Sequence, residues 1–210
     1  AELGLSLAAV NGPRSVVLSG EAAALDTAIA RLEADGVPAR RLSVSHAFHS
    51  GLMEPVLSDL GPTAPRGTVG AVALVSTLTG GIVEAVDPEH WRRHARKPVR
   101  FTDALSALSD LGCTSLLEIG PGTTLRDLAR PQLDGVPVTS VLAGPDEVEA
   151  LLQAVADLHC QGVPVDWAAV LPAGPRTRLP TYPFQRKRYW RDRPAAAPAV
   201  AGAGLLGSEI

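Results

Sequence analysis

Val44-Ser-His-Ala-Phe-His-Ser-Gly-Leu-Met-Glu-Pro55 is the stretch from which the rest of the chain is read. It places two imidazoles, His46 and His49, around Ala47 and Phe48, at the end of residues 41–45, which alternate apolar and polar as a strand does. Imidazole is the side chain best suited to move protons near neutral pH, because its ordinary pKa is about 6.5. A metal reading needs three or four ligands, and residues three apart on a strand point to opposite faces. His90 and His94, four apart on a predicted helix, are the better chelating pair, but no third carboxylate or thiol is placed with them. From the residues alone, two readings of His46 and His49 stay open, proton transfer at an imidazole or a pair of surface or packed histidines, and a bound metal is not expected.

Upstream of this stretch, residues 5–10 and 15–19 read as short strands joined by the turn Asn11-Gly-Pro-Arg14. Leu25, Ile29 and Leu32 recur at helical spacing over residues 21–34, and Asp35-Gly36 supplies a stop. Strand, strand, helix, strand is the order of a small split α+β unit with its helix laid on an antiparallel sheet.

Downstream, residues 52–60 form a helix candidate ended by Gly61-Pro62, and residues 62–70 read as a loop. An apolar strand is expected at 71–76, turned back by Thr77-Leu-Thr-Gly-Gly81. Asp87-Pro88-Glu89 opens a helix with a cap, a proline at the first helical position and an acid in the first turn, and that helix should stop before Pro98. Phe101, Leu105 and Leu108 mark the next helix, closed by Gly112. A strand at 114–119, the turn Gly120-Pro-Gly122, a helix through Leu125 and Leu128, a strand at 136–142 and an amphipathic helix through Val148, Leu151, Leu152, Val155 and Leu158 follow. Strand–helix alternation from 71 to about 160 predicts part of a parallel α/β sheet, so the fold class is α/β.

Composition narrows the function classes. With 46% apolar and 20% charged residues the chain is ordinary globular protein, and a net charge of −3 gives no electrostatic case for nucleic acid. Only Cys113 and Cys160 are present, which excludes a disulfide framework and a thiolate metal site and fits a reducing, cytoplasmic setting. No apolar run approaches the roughly 18 residues of a membrane span. The chain opens Ala1-Glu2-Leu3-Gly4 without an initiating Met, which predicts a piece of a longer protein.

Near the C-terminus, Leu179-Pro-Thr-Tyr-Pro-Phe-Gln-Arg-Lys-Arg-Tyr-Trp190 interleaves Tyr182, Phe184, Tyr189 and Trp190 with Arg186, Lys187 and Arg188. Such a pattern suits a single-strand nucleic-acid platform, which the acidic balance opposes, or an unstructured tail, which four large aromatics oppose.

The segment from Val44 to Pro55, together with this downstream string, resembles the back half of the acyltransferase domain of a type I modular polyketide synthase and its trailing linker. Ala8-Ala-Val-Asn-Gly-Pro13 with Val17-Leu-Ser-Gly20, Trp91-Arg-Arg-His-Ala-Arg-Lys-Pro-Val-Arg-Phe101 and Leu117-Glu-Ile-Gly-Pro-Gly122 are similar to further parts of that family. The loop from 58 to 72 departs from it, being compressed and lacking an apolar-Pro-Ile-Pro stretch.

The resemblance implies a ferredoxin-like α+β small subdomain at 1–60 and the C-terminal part of an α/β-hydrolase-like large subdomain at 61–162. It implies a post-acyltransferase linker at 163–193, with its aromatics buried, and a flexible linker leading into a next domain, such as a dehydratase, at 194–210. It places the catalytic histidine at His49, an orienting role at His94 through the main chain there, and acyl-group selectivity at His46, Ala47 and Phe48. In the family the His-Ala-Phe-His form accompanies malonyl and a Tyr-Ala-Ser-His form methylmalonyl; Phe48 fills space where Ser leaves room for a methyl, a difference of about 1–3 kcal/mol.

The implied activity passes a malonyl group from malonyl-CoA through an acyl-serine to the phosphopantetheine thiol of an acyl carrier protein. A ketosynthase and a downstream domain of the same synthase are further partners, and no cofactor is held by this segment. No Gly-x-Ser-x-Gly occurs in the 210 residues, so no nucleophile elbow is present and the segment alone is expected to be inactive. Two other readings stay open: a non-catalytic docking module between synthase domains, and a hydrolase or transacylase of a related fatty-acid system.

Overall fold

The structure is a computed structural model describing residues 3–63, 65–68, 70–171, 173–174, 177–187 and 189. It comprises two compact units, Ala1–Val165 and Asp166–Ile210.

In the first unit, Asn11-Gly12-Pro13-Arg14 folds the chain back so that β1 (Ser6–Gly12) and β2 (Ser15–Ser19) pair antiparallel, Leu7 opposite Leu18 and Val10 opposite Val16. Helix α1 (Ala22–Ala34) follows, and Gly36 ends it at φ 71°, the left-handed conformation that glycine adopts without penalty. The third strand expected at 41–45 does not form. The Arg41 side chain is drawn to α1, pairing with Asp26 at 3.4 Å and donating to the Ala22 carbonyl, while the Val44 N–H closes a tight local bond to Leu42 O. A backbone group spent locally is unavailable to a ladder. The third strand of that sheet is instead β7 (Val99–Arg100), parallel to β1 with Ala9 opposite Val99 and Val10 opposite Arg100.

Beyond His49, a 3-10 turn (Gly51–Met53) leads into α2 (Glu54–Thr63), which continues through Gly61 and Pro62 where a stop was expected. A proline in the last turn removes a single bond there, which leaves the rest of the helix intact. The region read as a loop then contributes β3 (Gly67–Thr68), followed by β4 (Leu74–Ser76), β5 (Gly81–Val83) and β6 (Ala85–Val86). β4 pairs antiparallel with β5, as the turn expected at residues 77–81 requires, and β3 pairs antiparallel with β6, for which no pairing was expected. Four residues, Thr77–Gly80, join β4 to β5, and a parallel pair needs a crossover of about a dozen.

Asp87 caps α3 (Pro88–Arg96) as the sequence predicts, its carboxylate accepting the His90 N–H at 2.7 Å. β7 passes directly into α4 (Phe101–Asp110), closed by Gly112 at φ 75°. The parallel α/β portion is β8 (Leu116–Pro121), α5 (Thr124–Ala129), β9 (Val138–Leu142) and α6 (Glu147–Cys160), with Leu116 opposite Val138 and Glu118 opposite Ser140. Leu105, Ala129 and Val138 form its core, with Phe101, Leu108, Leu116 and Leu133 packed around them.

Glu118 ties α5 to both strands by accepting from the N–H groups of Leu125 and Arg126 and from the Ser140 hydroxyl. Burial works against its charge, but these donors and the Arg126 cation outweigh it and hold its pKa below the usual carboxylate value.

In the second unit Asp166 caps α7 (Trp167–Val170), and no other helix or strand occurs among its described residues. Tyr182 and Phe184 meet edge to face at 5.4 Å, and within this unit Tyr182, Phe184 and Tyr189 are exposed. A four-residue helix offers no layer within the unit to cover them. Trp190 and residues 194–210, with the proposed start of a next domain, lie outside the described residues.

The turn Thr77–Gly80 is fitted closely to the start of α4. Gly80 adopts φ 74°, and a Cβ there would fall 2.5 Å from the Asp103 Cβ. Gly112 has a similar φ but open space around it. Gly112→Ala is therefore expected to cost only the backbone penalty, about 1–2 kcal/mol. Gly80→Ala should cost measurably more, because Asp103 must also move; urea unfolding of the two variants compares them.

Candidate active site

The helix that Asp87 starts and Pro98 ends leaves carbonyls at its C-terminal end without partners inside the helix. Two of them are taken by one residue. The His49 N–H donates to the Ala95 carbonyl at 3.0 Å, and His49 Nδ1 lies 2.8 Å from the Lys97 carbonyl. A carbonyl only accepts, so Nδ1 carries a proton, and in the neutral ring Nε2 is the nitrogen that keeps its lone pair. Reaching both carbonyls holds His49 at φ 62°, the one positive φ outside glycine among the described residues. A non-glycine residue pays about 1–2 kcal/mol for that conformation.

The turn around His49 is built to keep it there. Ser50 is buried, donates to the Ala47 carbonyl at 2.6 Å and accepts the Leu52 N–H, which starts the 3-10 turn. Met53 is buried behind it. Glu54 then pairs with Arg96 at 2.6 Å, linking the start of α2 to the end of α3. Both partners are partly solvent-exposed, so the pair contributes at most about 1 kcal/mol and acts chiefly on register.

His94 does not supply the accepting main chain; Lys97, three residues on, does. The His94 ring stands edge to face with the His49 ring at 6.1 Å, and its Nε2 shares a hydrogen bond of 2.9 Å with the Thr77 hydroxyl. His90 stacks on the other face of this group, parallel to His94 within 7° at 6.2 Å, with its Nε2 3.3 Å from the Ser76 hydroxyl. Stacked rings with their Nε2 atoms on separate hydroxyls do not converge on an ion. Among the described residues no group of three or more His, Cys, Asp or Glu is arranged to hold one.

Phe48 is half exposed and lies 6.0 Å from the His46 ring and 6.5 Å from that of His49. His46 turns its Nδ1 to the Ser45 hydroxyl. The segment 46–49 thus presents Phe48 beside the histidine held by α3, on a turn and not at a strand end. None of these residues borders the cavity of about 470 Å³ lined by Arg126, Ser140, Glu149 and Gln161. Among the described residues no helix is long and apolar enough to cross a membrane.

Sequence reasoning missed Lys97, Ala95, Thr77 and Ser76. Backbone carbonyls leave no mark in residue identity. The boundaries of α3 were readable, however, and those boundaries alone place Ala95 and Lys97 among its unpaired carbonyls.

Burial lowers the His94 pKa, and the nearby His49 and His90 lower it further. The folded protein therefore takes a proton at His94 less readily than the unfolded chain does. Between that lowered value and the ordinary value of about 6.5 the unfolded state holds more protons, so stability rises with pH. The contribution is complete above about 6.5 and is lost as pH falls through the folded-state value. Urea unfolding at about pH 7.5 and pH 5 should show a loss of stability that His94→Gln reduces; an unchanged loss in that variant contradicts the assignment.

A family model described as the acyl transferase domain matches residues 2–164. Polyketide synthase GfsA of Streptomyces halstedii is 43% identical over 217 residues, spanning 97% of this chain and 3% of that protein. The crystal structure of the acyltransferase domain from the second module of the salinomycin polyketide synthase matches with a TM-score of 0.71 and 42% identity, over 80% of this chain and 41% of that one. A malonyl-transacylase solved with its type II polyketide synthase acyl-carrier protein matches with a TM-score of 0.60 and 27% identity, over 73% of this chain and 50% of that one. The chain thus spans a small part of the curated synthase and about two fifths of the solved salinomycin domain. It has an α/β fold matching polyketide synthase acyltransferase structures, and it belongs to the acyl transferase domain family.

Proposed function

We propose that the chain is the C-terminal portion of a malonyl-selective acyltransferase domain of a modular polyketide synthase, divided at about residues 60, 162 and 193. The observation that carries this reading is the His49 ring, fixed by the Lys97 carbonyl at Nδ1 so that Nε2 serves as the base. In the first half-reaction Nε2 takes the proton of a serine hydroxyl as its oxygen attacks the thioester carbon of malonyl-CoA. The carbon–sulfur bond then breaks, and the departing CoA thiolate receives that proton. In the second half-reaction the phosphopantetheine thiol of the carrier protein gives its proton to Nε2 and attacks the acyl-serine. The carbon–oxygen bond breaks, and the serine oxygen regains a proton. Each half-reaction passes through an imidazolium, and the carbonyl end of α3 presents negative partial charge to it. A main-chain carbonyl here takes the orienting part that a buried carboxylate has in a serine-protease triad.

The serine belongs to no Gly-x-Ser-x-Gly within these 210 residues, so the chain alone is proposed to be inactive. Phe48, beside His49, narrows the space for a substituent on the malonyl carbon and favours malonyl over methylmalonyl. A second reading, docking between synthase domains, is favoured by the exposed Tyr182, Phe184 and Tyr189.

Radiolabelled malonyl-CoA and carrier protein are expected to give no malonyl transfer with the 210-residue chain; turnover there would refute the inactive reading. In an intact domain carrying these residues, His49→Ala should lower kcat about 10²–10⁴-fold. Retained transfer in that variant would favour docking. Phe48→Ser with His46→Tyr in the intact domain should shift competition toward methylmalonyl by no more than about 10–200-fold. An unchanged ratio removes the selectivity assignment.

A further inference from the structure

Lys97, whose carbonyl holds His49, is the residue that caps the C-terminal end of α3, with φ −90° and ψ 160°. It has already left helical geometry, so the ladder of α3 does not fix the direction of its carbonyl. Pro98 follows and has no N–H to give. What fixes that carbonyl must grip the chain on both sides of it.

One residue does. The Thr77 hydroxyl meets His94 Nε2 at 2.9 Å, and the Thr77 carbonyl accepts the Arg100 N–H at 2.7 Å. His94 and Arg100 stand three residues before and three residues after Lys97, so both arms of Thr77 bracket it. The turn bearing Thr77 is itself clasped. The Arg100 guanidinium donates to the Thr79 carbonyl at 2.7 Å and pairs with Asp103, while Ser76 Oγ caps the Leu78 N–H and meets His90. A displacement of the turn therefore carries the Lys97 carbonyl with it.

We infer that Thr77 is a positioning residue for His49, acting through the Lys97 carbonyl. Its part in acyl transfer rests on the catalytic reading of His49 proposed above, whereas its part in holding the His49 ring does not. The two are tested separately.

In the 210-residue chain, the proton on His49 Nδ1 is followed by ¹⁵N-edited NMR, with His49→Gln assigning the signal. Thr77→Val keeps the shape and the carbonyl but removes the hydroxyl, and is expected to lose the slowly exchanging Nδ1 proton. Thr77→Ser should retain it. His94→Leu, which removes the hydroxyl's partner, should lose it as Thr77→Val does, and it decides the matter if Thr77→Val does not fold, as judged by the amide signals of α6. Retention of the signal in the folded hydroxyl-deleting variants overturns the inference, as does equal loss in Thr77→Ser.

In an intact domain, Thr77→Val should lower kcat about 10–100-fold with KM for malonyl-CoA unchanged, and Thr77→Ser should restore it. Should His49→Ala leave transfer intact while the NMR result holds, the catalytic reading falls and the positional one stands.

Discussion

The pair of hydrogen bonds from His49 to the carbonyl end of α3 is the constraint on which the rest of the site depends. Neither bond exists without the other elements in place. The backbone must turn through φ 62° at His49 to offer its N–H to Ala95 and its ring to Lys97 together. That conformation costs about 1–2 kcal/mol in a residue with a Cβ, and the surroundings absorb the cost. Ser50 locks the turn from inside, Met53 is buried beneath it, and the Glu54–Arg96 pair fixes α2 against α3. Strain concentrated at one non-glycine residue, on the side chain best suited to proton transfer, is the pattern seen where geometry is held for function.

Three histidines near one another serve three ends. His49 is fixed by main-chain carbonyls and keeps one nitrogen free of the main chain. His94 lies between the other two rings, partly buried, and burial disfavours its charged form. His90 closes the stack and, through Ser76, rests on the β4–β5 hairpin. The arrangement couples the hairpin to the end of α3, and so to His49, through side chains that a sequence motif does not distinguish from one another.

Much of the fold was legible in the residues. The Asn11–Arg14 turn, the cap at Asp87, the helix stop at Pro98 and the glycine after α4 each announce a boundary by local chemistry, and each boundary stands within a residue or two. Failures came where tertiary partners decided the outcome. Residues 41–45 have a strand's alternation, but Arg41 is taken by Asp26 and Val44 by Leu42, and β7 holds the place beside β1. The alternation from 71 onward suggested parallel strands, but β4 turns back on β5 through the short link that Thr77–Gly81 announced, and the parallel ladder of that stretch is β8 with β9. Within the site, His49 and Phe48 were singled out by residue type, whereas the acceptor was assigned to the main chain at His94 and lies at Lys97. Side-chain identity reports what a residue is able to do; which carbonyl it meets is set by where a helix ends.

In the proposed mechanism, a serine from outside these residues stands against His49 Nε2. The most direct measurement is a crystal structure of the intact acyltransferase domain trapped as its malonyl-serine ester. It should show His49 Nε2 within about 2.6–3.2 Å of the ester oxygen of that serine, or one water from it, with Nδ1 still on the Lys97 carbonyl. A His49 ring turned away from the ester, or released from Lys97 in that intermediate, would contradict it.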